Sequence, residues 1–159
     1  MNYFAKKHSC EVSLSAFNGN TVIRILTIGN VIYGNSLLFL PGSRQHAHST
    51  APGKLFLSRL SAEELNAWLM DRCLLPHTSK TIIDRDALCQ EIERIRNQGY
   101  STAEGEMLEN YATLSFPVLN RAGDVLCSMD FSVSLENFPR INSDEFKREV
   151  KSVLRNLPL

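Results

Sequence analysis

The first clear signal of the fold lies at residues 10–28, which read CEVSLSAFNGNTVIRILTI. Apolar and polar side chains alternate over residues 10–17, and a period of two is typical of a half-buried β-strand. Asn18-Gly19 follows, a pair that favours a tight type I′ turn because both residues tolerate positive φ angles. We therefore predict an antiparallel hairpin whose second strand spans residues 21–28.

A second hairpin is predicted near the end of the chain. Residues 111–119 and 125–133 have strand character and flank a polar, glycine-containing turn at residues 120–124. A shorter strand is predicted at Leu37–Leu40. Helices are predicted at residues 1–8, from Ser49, from the capping box Ser61–Glu64, from Asp84 to Gly99, and from Ser143. Hairpins interrupted by a helical block indicate an α+β fold with an antiparallel sheet.

Composition excludes several functional classes. The chain has 159 residues, the size of one domain, and its 17 basic and 17 acidic residues give a net charge of zero. A chain without net positive charge is poorly suited to bind nucleic acid by itself, because affinity comes mainly from neutralising phosphates. No apolar run approaches the roughly 20 residues that a membrane span needs, so no membrane partner is expected. The four scattered cysteines indicate reduced thiols and a cytoplasmic location.

Gly53-Lys54 invites comparison with a phosphate-binding loop, but His48 and Leu55 occupy positions where that motif needs Gly and Ser or Thr. The helix start near residues 49–53 still exposes N–H groups that attract anions, but the sequence favours an ordinary helix start capped by Ser49 or Thr50. His46-x-His48 lacks a neighbouring third ligand for a metal. Cys127 has no local feature that would activate it as a nucleophile.

Asp130 is the more informative residue, because Ser128 and Ser132 share its face of the strand at period two. A solvent-facing strand would explain three polar residues without any function. If helices cover that face, however, the carboxylate must be satisfied, and a polar ligand could satisfy it. Thr113 and Ser115 on the partner strand could then complete a small polar cavity.

Several separated motifs resemble the C-terminal effector-binding domain of the IclR family of bacterial transcription regulators, in the same order. These are the hairpin of residues 12–28, HSTAPGKLFL (48–57), LSAEEL (60–65), TSKTI (78–82), Gly99-Tyr100-Ser101 followed by Glu104 or Glu106, FPV (116–118) and GDV (123–125). The resemblance implies a GAF-like, profilin-like fold, a mostly antiparallel sheet flanked by helices. Residues 1–8 would be the end of an inter-domain linker helix and residues 9–159 the effector-binding domain.

The resemblance also implies a function and a site. The domain would bind a small organic acid or sugar acid and form dimers or tetramers. It would be part of a repressor of a catabolic operon. No cofactor, metal or catalytic residue is expected. DNA would be bound only through a winged helix-turn-helix missing from this chain, which alone should not bind operator DNA. The ligand-binding residues carried over are Ala51, Pro52, Gly53, Ala103, Thr113, Leu114, Asp130 and Ser132. Ala51–Gly53 would receive a ligand carboxylate, and Leu114 a backbone contact.

Two departures from the family pattern bear on the effector. The resemblance implies that relatives which bind short keto acids have an aspartate at the position of Ala103 and a serine at the position of Asp130. Pro52 also removes one N–H. We therefore expect a ligand rich in hydroxyl donors, such as a sugar acid or related polyol. The alternatives are an enzyme on a GAF-like fold acting on a small polar metabolite and a pure oligomerisation domain.

Overall fold

The computed structural model describes residues 1–29, 40–70 and 72–157. Its elements are α1 (Asn2–His8), β1 (Glu11–Phe17), β2 (Thr21–Ile28), β3 (Arg44–His46), α2 (Ala51–Leu57), α3 (Ala62–Met70), α4 (Arg85–Gln98), β4 (Ser101–Glu104), β5 (Tyr111–Leu119), β6 (Val125–Ser134), α5 (Phe138–Ile141) and α6 (Asp144–Arg155). The strand predicted at residues 37–40 lies outside the described residues except for Leu40, which is not in a strand.

The described strands form one antiparallel sheet in the order β3-β2-β1-β6-β5-β4. The two predicted hairpins, β1–β2 and β5–β6, are joined side by side through β1 and β6, and short strands extend both edges. The predicted α+β fold with helices on an antiparallel sheet is thus confirmed. β1, β6 and β5 lie at its centre, where side chains are most easily enclosed.

The first hairpin forms as predicted, but its turn is different. A type I′ turn needs positive φ at both central residues. Gly19 has φ +86°, whereas Ser9 is the only non-glycine residue with positive φ in the described chain. Instead, Asn18 Oδ1 accepts hydrogen bonds from the N–H groups of Asn20 at 3.0 Å and Thr21 at 2.8 Å. The turn is therefore closed by hydrogen bonds to the Asn18 side chain, and only Gly19 has a positive φ angle.

One face of the sheet, here called the apolar face, packs against α1, α5 and α6. Its buried side chains include Val12, Leu114, Phe116, Met129 and Phe131, and the helices contribute Phe4, Ile141, Phe146 and Val150. The opposite face, here called the polar face, is crossed by α2. Because Glu11, Ser13 and Ser15 are at most 1% exposed, the prediction of a half-buried first strand is wrong. Helices cover its polar side too.

Local signals set the helix ends above the polar face. In the capping box that opens α3, Ser61 and Glu64 exchange hydrogen bonds between side chain and backbone. Asp84 caps α4, and Gly99 ends it with φ +77°. α2, α3 and α4 pack together through a second apolar cluster that includes Leu55 and Ile92. This cluster packs α2 against α3 and α4 above the sheet.

Candidate functional site

Strand pairing gathers polar side chains at the centre of the polar face. Asp130 of β6 lies opposite Ser13 of β1 on one side and opposite Ser115 of β5 on the other. The same face also carries the buried side chains of Glu11, Ser15, Thr113, Ser128 and Ser132. Of the two interpretations of the Ser128–Asp130–Ser132 face, the structure therefore shows the enclosed one.

The two oxygens of the Asp130 carboxylate have different surroundings. Oδ2 accepts hydrogen bonds from Ser15 Oγ at 2.6 Å and from Ser13 Oγ at 3.5 Å. Oδ1 is buried and has no hydrogen-bond partner among the residues that the structure describes. A buried carboxylate oxygen without a donor is unfavourable, because it has lost water without replacement.

The pKa of Asp130 reflects this imbalance. Burial raises it above the ordinary aspartate value, because removal from water penalises the charged form. The nearby hydroxyls of Ser15, Ser115 and Ser128 and the Arg24 guanidinium lower the same pKa, but by less. Asp130 is thus a group whose charge the protein alone does not fully stabilise.

Arg24 provides a buried positive charge on the same face. Its Nη1 donates to Glu11 Oε1, and the Tyr111 hydroxyl donates to that same oxygen at 3.2 Å. Burial lowers the pKa of Arg24, but Tyr111, Glu11 and Asp130 raise it further, so that the net shift is upward. The patterns in the sequence do not predict this trio. The one local signal is Arg24 itself, a charged residue in the middle of the apolar run Val22–Leu26.

A small cavity lies between α2 and the polar face, with a volume of about 20 Å³. Five of the predicted ligand-binding residues line it: Ala51, Pro52, Ala103, Thr113 and Asp130. Residues that were not predicted also line it, among them Arg24, Gln45, Met107 and Tyr111. A volume of this size holds about one water molecule. We call this space the Asp130 cavity.

Three of the predicted residues do not line the Asp130 cavity. Ser132 Oγ lies 3.0 Å from Thr113 Oγ1, so these two hydroxyls are hydrogen-bonded to each other. The Leu114 side chain is fully buried in the apolar face, on the other side of the sheet. Gly53 packs against the backbone: a Cβ added there would lie 2.2 Å from the carbonyl oxygen of Ala47. The glycine is thus required by close packing of α2.

The start of α2 has few N–H groups to offer a ligand. Pro52 has none, and the Gly53 N–H is donated to Thr50 Oγ1 at 3.3 Å. Thr50, rather than Ser49, is therefore the residue that caps α2. Of the predicted segment Ala51–Gly53, two positions have no free N–H with which to receive a carboxylate.

Lys54 lies near the cavity and forms ion pairs with Glu106 and Glu91. This lysine is 1% exposed, and its Nζ donates to Glu106 Oε1 at 2.6 Å and to Glu91 Oε1 at 3.2 Å. Burial raises the pKa of Glu106, and the ammonium group of Lys54 acts against that rise. Thr81 Oγ1 donates to the backbone carbonyl of Glu106 at 2.7 Å. These contacts anchor the loop that places Met107 in the cavity wall.

The histidines form a separate group away from Asp130. His46 Nδ1 lies 2.9 Å from His77 Nε2, and His48 Nε2 lies 3.0 Å from the carbonyl oxygen of Leu75. Burial lowers the pKa of both His48 and His77. Within residues 1–29, 40–70 and 72–157, no three His, Cys, Asp or Glu residues are arranged to hold a metal ion.

The same sequence matches a known family along almost its whole length. The family model "Bacterial transcriptional regulator IclR C-terminal" covers residues 1–157. The chain belongs to the IclR family. IclR proteins are transcriptional regulators, and the matched region is their C-terminal domain. Within the described residues, every helix is too short or too polar to cross a bilayer.

A curated IclR-type relative is the HTH-type transcriptional regulator KdgR of Dickeya chrysanthemi. It is 26% identical over 146 residues, which are 92% of this chain and 48% of KdgR. The chain therefore spans about half the length of this relative.

Solved structures of IclR-type regulators share the fold. The C-terminal domain of Escherichia coli KdgR has a TM-score of 0.82 at 22% identity, covering 98% of this chain and 89% of that one. The inducer-binding domain of PobR from Acinetobacter, solved as a double mutant with 3-hydroxybenzoic acid, has a TM-score of 0.78 at 21% identity, with coverage of 98% and 89%.

Proposed function

We propose that this domain is the ligand-sensing part of an IclR-type transcription regulator and binds a small, hydroxyl-rich organic effector in the Asp130 cavity. A sugar acid or related polyol is the class that the sequence favours. The observation that carries the proposal concerns Asp130, which lines the cavity and whose buried Oδ1 has no hydrogen-bond donor among the described residues. An effector hydroxyl would supply that donor.

The cavity must widen to admit an effector. A volume of about 20 Å³ is far below the roughly 300 Å³ at which small-molecule sites begin. Met107 belongs to the wall, and a methionine side chain repacks easily because it is unbranched and flexible. Binding is therefore expected to select a more open arrangement of α2, β4 and the Met107 loop.

The PobR neighbour supports the proposal. That domain is described as inducer-binding and was solved with 3-hydroxybenzoic acid, a small organic acid with a hydroxyl group. Its fold is shared by this chain, but its identity of 21% carries over no ligand. The effector class proposed here rests on the residues of this chain.

The residues proposed to contact the effector are those inferred from the sequence, with roles adjusted to their positions. Asp130 and Thr113 would bind hydroxyl groups, and Ala51, Pro52 and Ala103 would shape the cavity. Ser132 would act through Thr113, to which it is bonded. Gly53 and Leu114 would take part only through their backbones.

The regulatory consequence is proposed for the whole protein. Residues 1–8 would lead from a DNA-binding domain into the sensing domain of residues 9–159, which would assemble as dimers or tetramers of a repressor. An effector can shift DNA binding only if it binds one assembly more tightly than another. α1 is suited to transmit such a change, because Phe4 is 2% exposed and packs within the apolar face.

Catalysis is the less favoured alternative. Cys127 packs against the apolar face, on the other side of the sheet from the cavity. Burial, and secondarily Asp130, raises the pKa of its thiol, which is the opposite of nucleophile activation. We propose that the domain is not an enzyme.

A thermal-shift screen of organic acids, sugar acids and polyols tests the proposal. An effector at 100 times its Kd adds about 2.7 kcal/mol, or roughly 5–10 °C in Tm for a domain of this size. Asp130→Ala and Asp130→Asn should both weaken the shift. Asp144→Asn should preserve it, because that side chain is 94% exposed. If no compound raises Tm, or if short keto acids alone do so, the proposal is overturned.

A further inference from the structure

We infer that a second cavity, between the end of α3 and the strands β2 and β3, binds a small oxyanion such as a phosphate, sulfate or carboxylate group. Its lining residues include Asn20, His46, His48, Trp68, Arg72 and Cys73. We call this space the Trp68 cavity. Among the described residues, none lines both this space and the Asp130 cavity, so the inference does not depend on the proposed function.

Three parts of the fold form the Trp68 cavity. The pairing of β2 with β3 places Thr21 opposite His46, and both residues line the cavity. Trp68 lies near the end of α3, and Arg72 follows that helix. The volume is about 300 Å³, the size at which small-molecule sites begin. This space is therefore large enough for a small molecule without the widening that the Asp130 cavity requires.

The charge at the Trp68 cavity favours an anion. Arg72 lines it, and no acidic residue does so among the residues that the structure describes. Arg72 Nη1 donates to Asn20 Oδ1, and Arg72 Cζ lies 5.2 Å from the centroid of the Trp68 ring, over which the guanidinium is placed. These neutral partners hold the guanidinium in position and leave its charge uncompensated. A guanidinium in such a position suits the planar or tetrahedral oxygens of an oxyanion.

Two N–H groups beside this charge lack an acceptor. Trp68 is 9% exposed, and its buried Nε1 has no hydrogen-bond partner in the described chain. The same is true of Arg72 Nε. Buried donors without an acceptor are unfavourable, so an oxygen that accepts from them would stabilise the folded chain. Because both nitrogens are buried, binding requires a shift of the half-buried Arg72 side chain. An oxyanion supplies the missing acceptors and the missing negative charge together.

The histidines near this cavity make the binding of an anion dependent on pH. Burial lowers the pKa of His48, and His46, His77 and Lys54 lower it further, whereas its hydrogen bond to the backbone of Leu75 raises it. A bound anion would favour the protonated imidazole, because opposite charges attract. Anion binding should therefore become tighter as pH falls through the range in which histidine titrates.

The chain contains its own reporter for the test, because Trp68 is its single tryptophan. Sodium sulfate, sodium phosphate and sodium succinate are titrated into the purified chain at pH 7.0, with sodium chloride added to keep the ionic strength constant. We expect a saturable change in Trp68 fluorescence with at least one of them. The tetrahedral anions and succinate together show whether a phosphate-like or a carboxylate head group is preferred. For sulfate, which stays a dianion, binding should be several-fold tighter at pH 6.0 than at pH 8.0.

A second reporter is the exposed thiol of Cys73, which also lines the Trp68 cavity. A saturating anion should slow the alkylation of Cys73 by iodoacetamide several-fold, as followed by mass spectrometry. Cys89 is half-buried and lies outside the lining of this cavity, so its rate should not change. The comparison of the two thiols separates local protection from a general effect of the anion on the reagent.

One variant assigns the binding to the guanidinium. Arg72→Gln should weaken binding of the preferred anion at least about tenfold, as loss of a hydrogen bond to a charged group implies. Arg59→Gln changes the net charge equally at an exposed position outside this cavity and should leave the affinity unchanged. Because the loss of Arg72 also alters the surroundings of the Trp68 ring, protection of Cys73 is compared in both variants as well.

The outcomes decide the inference without reference to the effector. Saturable binding that protects Cys73 and is lost in Arg72→Gln but not in Arg59→Gln supports it. If the three anions change neither the fluorescence nor the alkylation rate, or if Arg72→Gln binds as tightly as the wild-type chain, the inference is wrong. A response that sodium chloride reproduces is an effect of ionic strength and overturns it too. None of these results bears on ligand sensing in the Asp130 cavity.

Discussion

The neighbouring residues Asp130 and Phe131 point to opposite faces of the sheet, and both side chains are at most 1% exposed. Phe131 meets the rings of Phe4 and Phe146 edge-on, with centroid distances of 5.2 and 5.1 Å. Asp130 has one oxygen bound by serine hydroxyls and one without a donor in the described chain. Equal burial thus has opposite energetic consequences on the two faces.

The difference indicates that the apolar face stabilises the fold, whereas the polar face holds groups that a ligand could pair with. Edge-on aromatic packing stabilises the apolar face beyond the removal of its surface from water. The polar face keeps acidic groups that destabilise the folded chain unless something pairs with them. Sites for ligands are commonly less stable than an apolar core in the same place, because their groups await a partner.

The largest expected effect is on the apolar face. Phe131→Ala should lower the free energy of unfolding by about 4 kcal/mol, because it removes a ring that packs against the rings of Phe4, Phe116 and Phe146 and leaves a cavity. Urea denaturation followed by circular dichroism measures this loss. Leu126→Ala on the same strand is the control, since its side chain is 52% exposed and should change stability by less than about 0.5 kcal/mol. Equal losses in the two variants would contradict the proposed contribution of this face.

A somewhat smaller effect is expected from the ion pair behind the polar face. Lys54→Met should cost about 3 kcal/mol, because Glu106 would keep a buried charge without its partner. Adding Glu106→Gln should recover part of that loss in a double-mutant cycle. Lys6→Met, at an exposed position, controls for removal of a lysine. If the double variant is no more stable than Lys54→Met, the Lys54–Glu106 contact does not hold this wall.

The smallest expected effect is a gain in stability, caused by removing the charge of Asp130. Because the folded-state pKa of Asp130 is raised, the stability of the wild-type chain falls as pH rises from the ordinary aspartate value through that raised value. Asp130→Asn does not titrate, so it should be more stable than wild type at neutral pH by about 1–3 kcal/mol and nearly equal to it in acid.

Thermal melts of both proteins across pH measure this difference. Glu106 also has a raised pKa, but it is present in both proteins and cancels in the comparison. A variant less stable than wild type at neutral pH would mean that Arg24 and the serines already stabilise the carboxylate fully.

Much of the backbone could be predicted because its signals are local. The capping box at Ser61–Glu64 and the Asp84 and Gly99 ends of α4 depend on residues within one helical turn, and the structure confirms them. Strands β3 and β4 were not located, because three and four residues are too short for a period of two to show. The Asn18-Gly19 turn was assigned the wrong type, because several geometries use the same two residues.

The site was only partly predictable, for a different reason. Alternation along one strand showed that Ser128, Asp130 and Ser132 share a face, but it could not say whether water or a helix covers that face. Glu11 and Arg24 looked like ordinary charged residues of two strands. The register of β1 and β2 places Arg24 opposite Ser15, so its ion pair with Glu11 is visible only in the folded chain.

The sequence by itself determined the α+β fold, the two hairpins, the starts of α3, α4 and α6 and the family, since each is recorded in neighbouring residues or in ordered motifs. The tertiary structure alone decided that the Asp130 face is enclosed, that Arg24 is already engaged by Glu11, and that Gly53 serves close packing. Burial and charge pairing depend on side chains far apart in the chain, and their energies exist only once the chain has folded.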